Sequence, residues 1–123
     1  MKLIRITLAA LAAVAAIAVI STAAQGASVA GKTLKASDGP GFTISLKTNA
    51  GKKVKTLKPG TYTIKVSDKS SIHNFHLKGP GVNKKTSTAF MGSKTWHVKL
   101  KKGTYKYQCD IHFTIMHGKF KVT

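Results

Sequence analysis

After residue 41 apolar and polar residues alternate with a period of two, and a chain so patterned cannot build its core from helices. Phe42, Ile44 and Leu46 alternate with Thr43, Ser45 and Lys47, and Tyr62, Ile64 and Val66 with Thr61, Thr63, Lys65 and Ser67. Trp96, Val98 and Leu100 alternate with Thr95, His97, Lys99 and Lys101. Tyr105 and Tyr107 alternate with Thr104, Lys106 and Gln108, and Phe120 and Val122 with Lys119 and Lys121. Each run reads as a strand with one apolar and one wet face. Gly- and Pro-bearing turns separate them, at Asp38-Gly39-Pro40-Gly41, Pro59-Gly60, Gly79-Pro80-Gly81 and Lys102-Gly103. Short strands with such turns predict an all-β antiparallel sandwich or barrel. Leu57-Lys58-Pro59-Gly60-Thr61-Tyr62 and Leu100-Lys101-Lys102-Gly103-Thr104-Tyr105 nearly match. Two copies of a turn that opens a strand do not make a solenoid, which needs at least three units.

The start of the chain has a different grammar. Met1 to Arg5 is cationic, Ile6 to Ile20 is apolar apart from Thr7, and small residues follow from Ser21. That order predicts a secretory signal peptide over residues 1–27, cut between residues 23 and 30. The apolar run is shorter than the roughly 20 residues of a full membrane span, so an anchor left uncleaved is the alternative. One domain, residues 31–123, then remains, and it is expected in the periplasm or outside the cell. A chain of this length excludes a TIM barrel, a doubly wound nucleotide fold and a multidomain enzyme.

The 123 residues carry 21 Lys and Arg against 3 acids, a net charge of +18. The acids are Asp38, Asp68 and Asp110, and every basic residue after Arg5 is Lys. Such a field steers encounters with acidic proteins and other anionic surfaces, an anionic membrane among them. Lysines spread along the chain, with no Arg for bidentate reading of bases, predict no specific nucleic-acid binding.

Cys109 is the single cysteine, and it cannot form an internal disulfide. It opens the run Cys109-Asp110-Ile111-His112-Phe113-Thr114-Ile115-Met116. Upstream, alternation turns His73 inward with Phe75 and Leu77, and His76 outward with Asn74 and Lys78. Cys109 continues the inward series of Tyr105 and Tyr107. A lone Cys or Met is ordinarily core filler, and a His on an apolar face is ordinarily hydrogen-bonded. Taken together, two imidazoles, one thiolate and one thioether are the ligand set of a blue-copper electron-transfer site. Structural zinc prefers four strong Cys or His ligands. A Cys–His nucleophile would need an orienting partner and an oxyanion hole and would leave Met116 unexplained.

His73-Asn74-Phe75, the stretch Gly103 to Cys109, His112 and Met116-His117-Gly118 resemble the cupredoxins, the plastocyanin/azurin family of small blue copper proteins. The resemblance covers roughly residues 60–123. It implies an all-β, two-sheet antiparallel Greek-key sandwich of about seven or eight strands, and one type 1 copper, bound by His73 and His112 through Nδ1, by Cys109 through sulfur and by Met116 axially. It implies that Asn74 ties the His73 segment to the Cys109 loop. Two features depart from the pattern. Plastocyanins place four residues between the loop His and the Met and amicyanins two, whereas here there are three, Phe113, Thr114 and Ile115. Gln108 occupies the place of plastocyanin's aromatic residue before the Cys, so the electron port is expected at the edge of His112, ringed by Phe113 and Ile115.

The function expected is that of an exported one-electron carrier and not an enzyme. It would work as a monomer that docks transiently with an acidic redox protein. A copper carrier without a redox partner and a polycationic surface-binding module are the alternatives. Of the remaining histidines, His76 and His97 are expected on the wet face, where a weak second copper site is conceivable, and His117 beside Met116.

Overall fold

The computed structural model describes residues 32–123. The expected signal peptide, residues 1–27, lies outside the described residues. Among the described residues no helix is long and apolar enough to cross a membrane.

Nine strands form the domain: β1 (Thr33–Asp38), β2 (Ile44–Thr48), β3 (Thr56–Leu57), β4 (Gly60–Asp68), β5 (His76–Gly79), β6 (Val82–Lys85), β7 (Gly92–Leu100), β8 (Gly103–Gln108) and β9 (His117–Val122). One sheet has the order β2-β1-β4-β7 and the other β3-β9-β8-β5-β6. The chain passes repeatedly from one sheet to the other, giving the expected sandwich. The sheets are mixed rather than purely antiparallel, because β1 pairs with β4 and β3 with β9 in parallel. Parallel neighbours need a long connection. β2 and β3 supply it for the first pair, as β3 crosses into the other sheet before the chain returns as β4.

Period-two alternation meets the core as expected over the long strands. Tyr62, Ile64 and Val66 of β4 are buried, as are Trp96, Val98 and Leu100 of β7. The second sheet contributes Leu77, Tyr105, Tyr107, Phe120 and Val122 to the same cluster, and Phe75, just before β5, joins them. Tyr105 stacks on Phe120 and Tyr107 on Phe75, with ring centroids 5.2 and 5.6 Å apart. Burying each such side chain stabilises the fold by about 1.5–3 kcal/mol. Phe42 departs from the alternation. It precedes β2, is exposed, and lies over the histidines described below.

The near-repeat has a structural reason. The hydroxyl of Tyr62 donates to the carbonyl of Lys58 (2.7 Å), and that of Tyr105 accepts from the amide of Lys101 (2.9 Å), four residues back in each copy. Gly60 and Gly103 between them have φ of +151° and +144°, a region that disfavours any side chain. Each copy is thus a turn latched by its own tyrosine, and each delivers a strand to its sheet.

At one end of the first sheet Asp38 and Asp68 are direct neighbours across the parallel pair and both are buried. Asp68 accepts from the hydroxyl of Thr86 (2.8 Å) and the amide of Ser70 (3.3 Å). Neither oxygen of Asp38 receives a protein donor. Burial, and next to it the adjacent Asp68 carboxyl, push Asp38 up to about 7 from 3.8. A proton held by Asp38 can be shared with Asp68, which gives one of the two oxygens a partner. The native state therefore keeps a proton that the unfolded chain releases near pH 4. Between about pH 4 and pH 7 stability falls as pH rises, with a contribution from this group of up to about 1.4 kcal/mol per pH unit. Asp38→Asn is expected to flatten that slope, measured by urea unfolding at several pH values. Parallel profiles for variant and wild type would contradict the account.

Candidate metal centre

Three donors converge where loops close one end of the sandwich. His73 lies in the irregular segment between β4 and β5, and Cys109 and His112 follow β8. The two Nδ1 atoms lie 3.0 Å apart, and the Cys109 sulfur lies 3.9 Å from that of His73 and 3.7 Å from that of His112. A point equidistant from three such corners lies about 2.1 Å from each, close to zinc–imidazole bonds of about 2.0–2.1 Å and slightly inside zinc–thiolate bonds of about 2.3 Å. The triangle therefore has room for one first-row metal ion bound through both Nδ1 atoms and the sulfur. His73 and Cys109 are fully buried and His112 is partly exposed. Nε2 of His73 is buried without a partner, so its ring is oriented by packing rather than by a bond on that nitrogen.

Packing around the rings is close. Phe42 meets His73 and His112 edge-on, with centroids 5.3 and 5.0 Å away. Gly39 has φ +68°, and a Cβ there would lie 2.9 Å from the Cβ of Ser70 and 3.5 Å from Cδ2 of His73. Ser70 and the positive φ therefore demand glycine in the β1–β2 turn, which lies in ordinary contact with the His73 ring. Neither Phe42 nor Gly39 stood out in the sequence as part of the site. The signal at Gly39 was no more than a Gly-Pro-Gly turn.

The loop between Cys109 and Met116 closes on its own backbone. The amide of Met116 donates to the carbonyl of His112 (2.8 Å), a single turn four residues wide. The amide of Cys109 donates to the carbonyl of Met116 (3.0 Å). Three intervening residues are thus the number that one such turn accommodates. The side chain of Met116 is fully buried.

Asn74 sits where a tie was expected. Its Oδ1 accepts from the amide of Asp110 (2.8 Å), and its Nδ2 donates to Oδ2 of Asp110 (3.1 Å) and to the carbonyl of Thr86 (3.1 Å). Thr86 continues the chain of bonds, accepting from the amide of Phe75 (3.0 Å) while donating to Asp68. The outward placement of Asn74 and His76 is corrected here, since both are buried. Residues 73–75 are not in a strand, so alternation does not govern them, and β5 begins only at His76. Nδ1 of His76 is 2.7 Å from Asp110, and its Nε2 is 2.6 Å from Oδ1 of Asn83. Gln108 adds a third donor to Asp110 at 3.2 Å. Burial alone would raise the Asp110 carboxyl. The bonds from His76, Asn74 and Gln108, with the electrostatic pull of His76, outweigh it and hold the group below its ordinary value.

Of the other histidines, His97 is exposed as expected, with Nδ1 3.2 Å from the Thr63 hydroxyl. His117 is exposed at the start of β9, with Nδ1 2.7 Å from the carbonyl of Phe113. Phe113 and Ile115 are exposed as well, at 56% and 62%, and Ile72, Ile111 and Phe42 are the other large exposed apolar residues of these loops.

A two-sheet sandwich that gathers two histidines and a cysteine among its end loops is a cupredoxin-like fold with the donor set of a single type 1 copper. Among the solved structures it resembles are several of rusticyanin, a copper protein. The 1.27 Å structure of rusticyanin from Thiobacillus ferrooxidans is 29% identical, with a TM-score of 0.52 over 76% of this chain and 79% of that one. Reduced rusticyanin at 1.9 Å is 26% identical, with a TM-score of 0.52 over 76% and 81%. A rusticyanin variant at 1.5 Å is 25% identical, with a TM-score of 0.54 over 76% and 79%. No protein-family model and no curated protein sequence matches the chain.

Asn74→Ala is expected to destabilise the copper-free protein by about 2–4 kcal/mol, since it strands the Asp110 amide and the Thr86 carbonyl in the interior. Urea unfolding measures this. A loss below about 0.5 kcal/mol, the level of an ordinary surface change, would show that the tie carries no load.

Proposed function

We propose that this protein is an exported one-electron carrier, and that His73, Cys109 and His112 hold its copper with Met116 as the weak axial ligand. The observation that carries the reading is the triangle of two Nδ1 atoms and one sulfur, buried on two corners and open at the third. Copper held there alternates between Cu(II) and Cu(I). The protein's part is to keep the donors in one arrangement for both states. The latched loop and the Asn74 tie do that, because they hold the ligands whether or not metal is bound.

His112 is the port in this reading. Phe42 meets its ring edge-on, and the exposed Phe113 and Ile115 of the same loop add apolar surface that excludes water and lets a partner approach closely. Gln108 bonds to Asp110 and offers no aromatic route from the sulfur to the far surface. The unpaired lysines steer an acidic redox protein to the surface, and docking is brief and small in area. Nothing in the reading requires substrate chemistry, and the carrier is not an enzyme. The apolar leader of residues 1–27 exports it to the periplasm or beyond, and residues 31–123 act as a monomer.

The test is stopped-flow oxidation and re-reduction of the copper-loaded protein by the ferricyanide/ferrocyanide pair across a range of salt. The colour is expected to bleach and return over many cycles without loss of copper. The bimolecular rate is expected to fall several-fold from low to high salt as steering is screened. Release of copper on reduction would hand the reading to a copper carrier. A rate indifferent to salt would remove the steering.

A further inference from the structure

We propose that the outer face of the four-stranded sheet is a docking trough for a linear phosphate polymer, gripped by Lys35, Lys47 and Lys65. This does not rest on the copper reading, because the trough faces solvent on the side of the sheet away from the core.

Strand register builds the surface. Ser45, Ser37 and Ser67 stand opposite one another on β2, β1 and β4, and Ser93 on β7 extends the row. The next row outward is Lys47, Lys35 and Lys65, ending in Thr95. Rows of like residues therefore run across the strands, at about 4.8 Å per step. Between them lies a trough of about 460 Å³. The hydroxyls of Ser37 and Ser45 are 2.9 Å apart. One donates to the other, which leaves the second free to donate to an anion.

Nothing neutralises these lysines. Asp38 and Asp68 are buried and Asp110 is engaged by His76, Asn74 and Gln108. Among the described residues the only ion pair is His76 with Asp110, so no lysine has an acidic partner. The chemistry of the lining selects the occupant. The trough contains no aromatic ring on which a base could stack, and no arginine fork. It lacks the large apolar anchors that dominate protein interfaces. A flat bilayer cannot enter a concave face, whereas a narrow chain can. What remains is repeated point charge with hydroxyl donors, which suits a chain of phosphates.

The experiment measures binding of long-chain inorganic polyphosphate to the full protein at physiological salt, by fluorescence anisotropy. Two triple variants lose equal charge. One is Lys35→Gln, Lys47→Gln, Lys65→Gln in the trough. The other is Lys55→Gln, Lys119→Gln, Lys121→Gln on exposed positions of the second sheet's region. All six side chains are exposed, and circular dichroism checks that both variants fold. The trough variant is expected to bind at least tenfold more weakly, with a salt slope reduced by about three. The control is expected to lose less than threefold. Equal losses would overturn the proposal in favour of diffuse charge. Absence of binding by the wild type at physiological salt would overturn it outright. Acidic lipid vesicles binding as tightly as the polymer, with the same sensitivity to the trough variant, would assign the face to a membrane instead.

Discussion

The pair of hydrogen bonds between Asn74 and Asp110 is the constraint on which the rest of the site depends. His73 and Cys109 come from segments far apart in sequence, and neither lies within a regular strand. Sheet hydrogen bonds therefore do not fix their separation. Asn74 follows one donor and Asp110 follows the other, so a reciprocal bond between them sets the distance between the donors. Asp110 is in turn fixed by His76 and Gln108, and Asn74 by Thr86, which hangs from Asp68. A buried polar network rigidifies a structure when every member is satisfied. Here the bonds run from the end of β4 to the loop after β8, and the donor triangle sits between those anchors.

The same network explains where the negative charge has gone. A chain with 3 acids and 21 basic residues could have spent its carboxylates neutralising the surface. Instead Asp68 and Asp110 organise the loops, and Asp38 lies buried beside Asp68. The two kinds of site respond to acid in opposite ways. Asp38, raised by burial, favours the folded state at low pH. Asp110, lowered by its donors, contributes stability above the ordinary carboxylate range and loses it as pH falls through its depressed value. Interior carboxyls also leave the lysines of the surface unpaired. The strongly cationic exterior of the described residues is thus a consequence of where the acids are needed, as well as of how few there are.

Much of this was legible in the sequence wherever a strand is regular and one of its faces is buried. Tyr62, Ile64, Val66, Trp96, Val98, Tyr105 and Phe120 all point as their alternation requires. The two imidazoles and the thiolate were legible from chemistry, since few environments want a thiolate and two imidazoles so close together. Reading failed where the backbone leaves the strand. Alternation put Phe42 inside and His76 outside, and the opposite is true of both. Phe42 falls just before β2, and His76 is covered by a loop that alternation cannot see. Parallel pairing of β1 with β4 was also hidden, because register between distant strands is set by how the chain crosses between sheets. The near-identical hexapeptides at residues 57 and 100 were visible as a pattern, but their meaning, a tyrosine latching its own turn, needed the coordinates.

The central claim is that His73, Cys109 and His112 form one copper site whose sulfur belongs to the metal. Titration of the protein with Cu(II), followed by visible absorption and EPR, tests it most directly. The account requires one equivalent of copper to give an intense blue thiolate-to-copper band with narrow hyperfine splitting, and requires Cys109→Ser to abolish both. A pale spectrum of ordinary tetragonal copper, unchanged by Cys109→Ser, would contradict it.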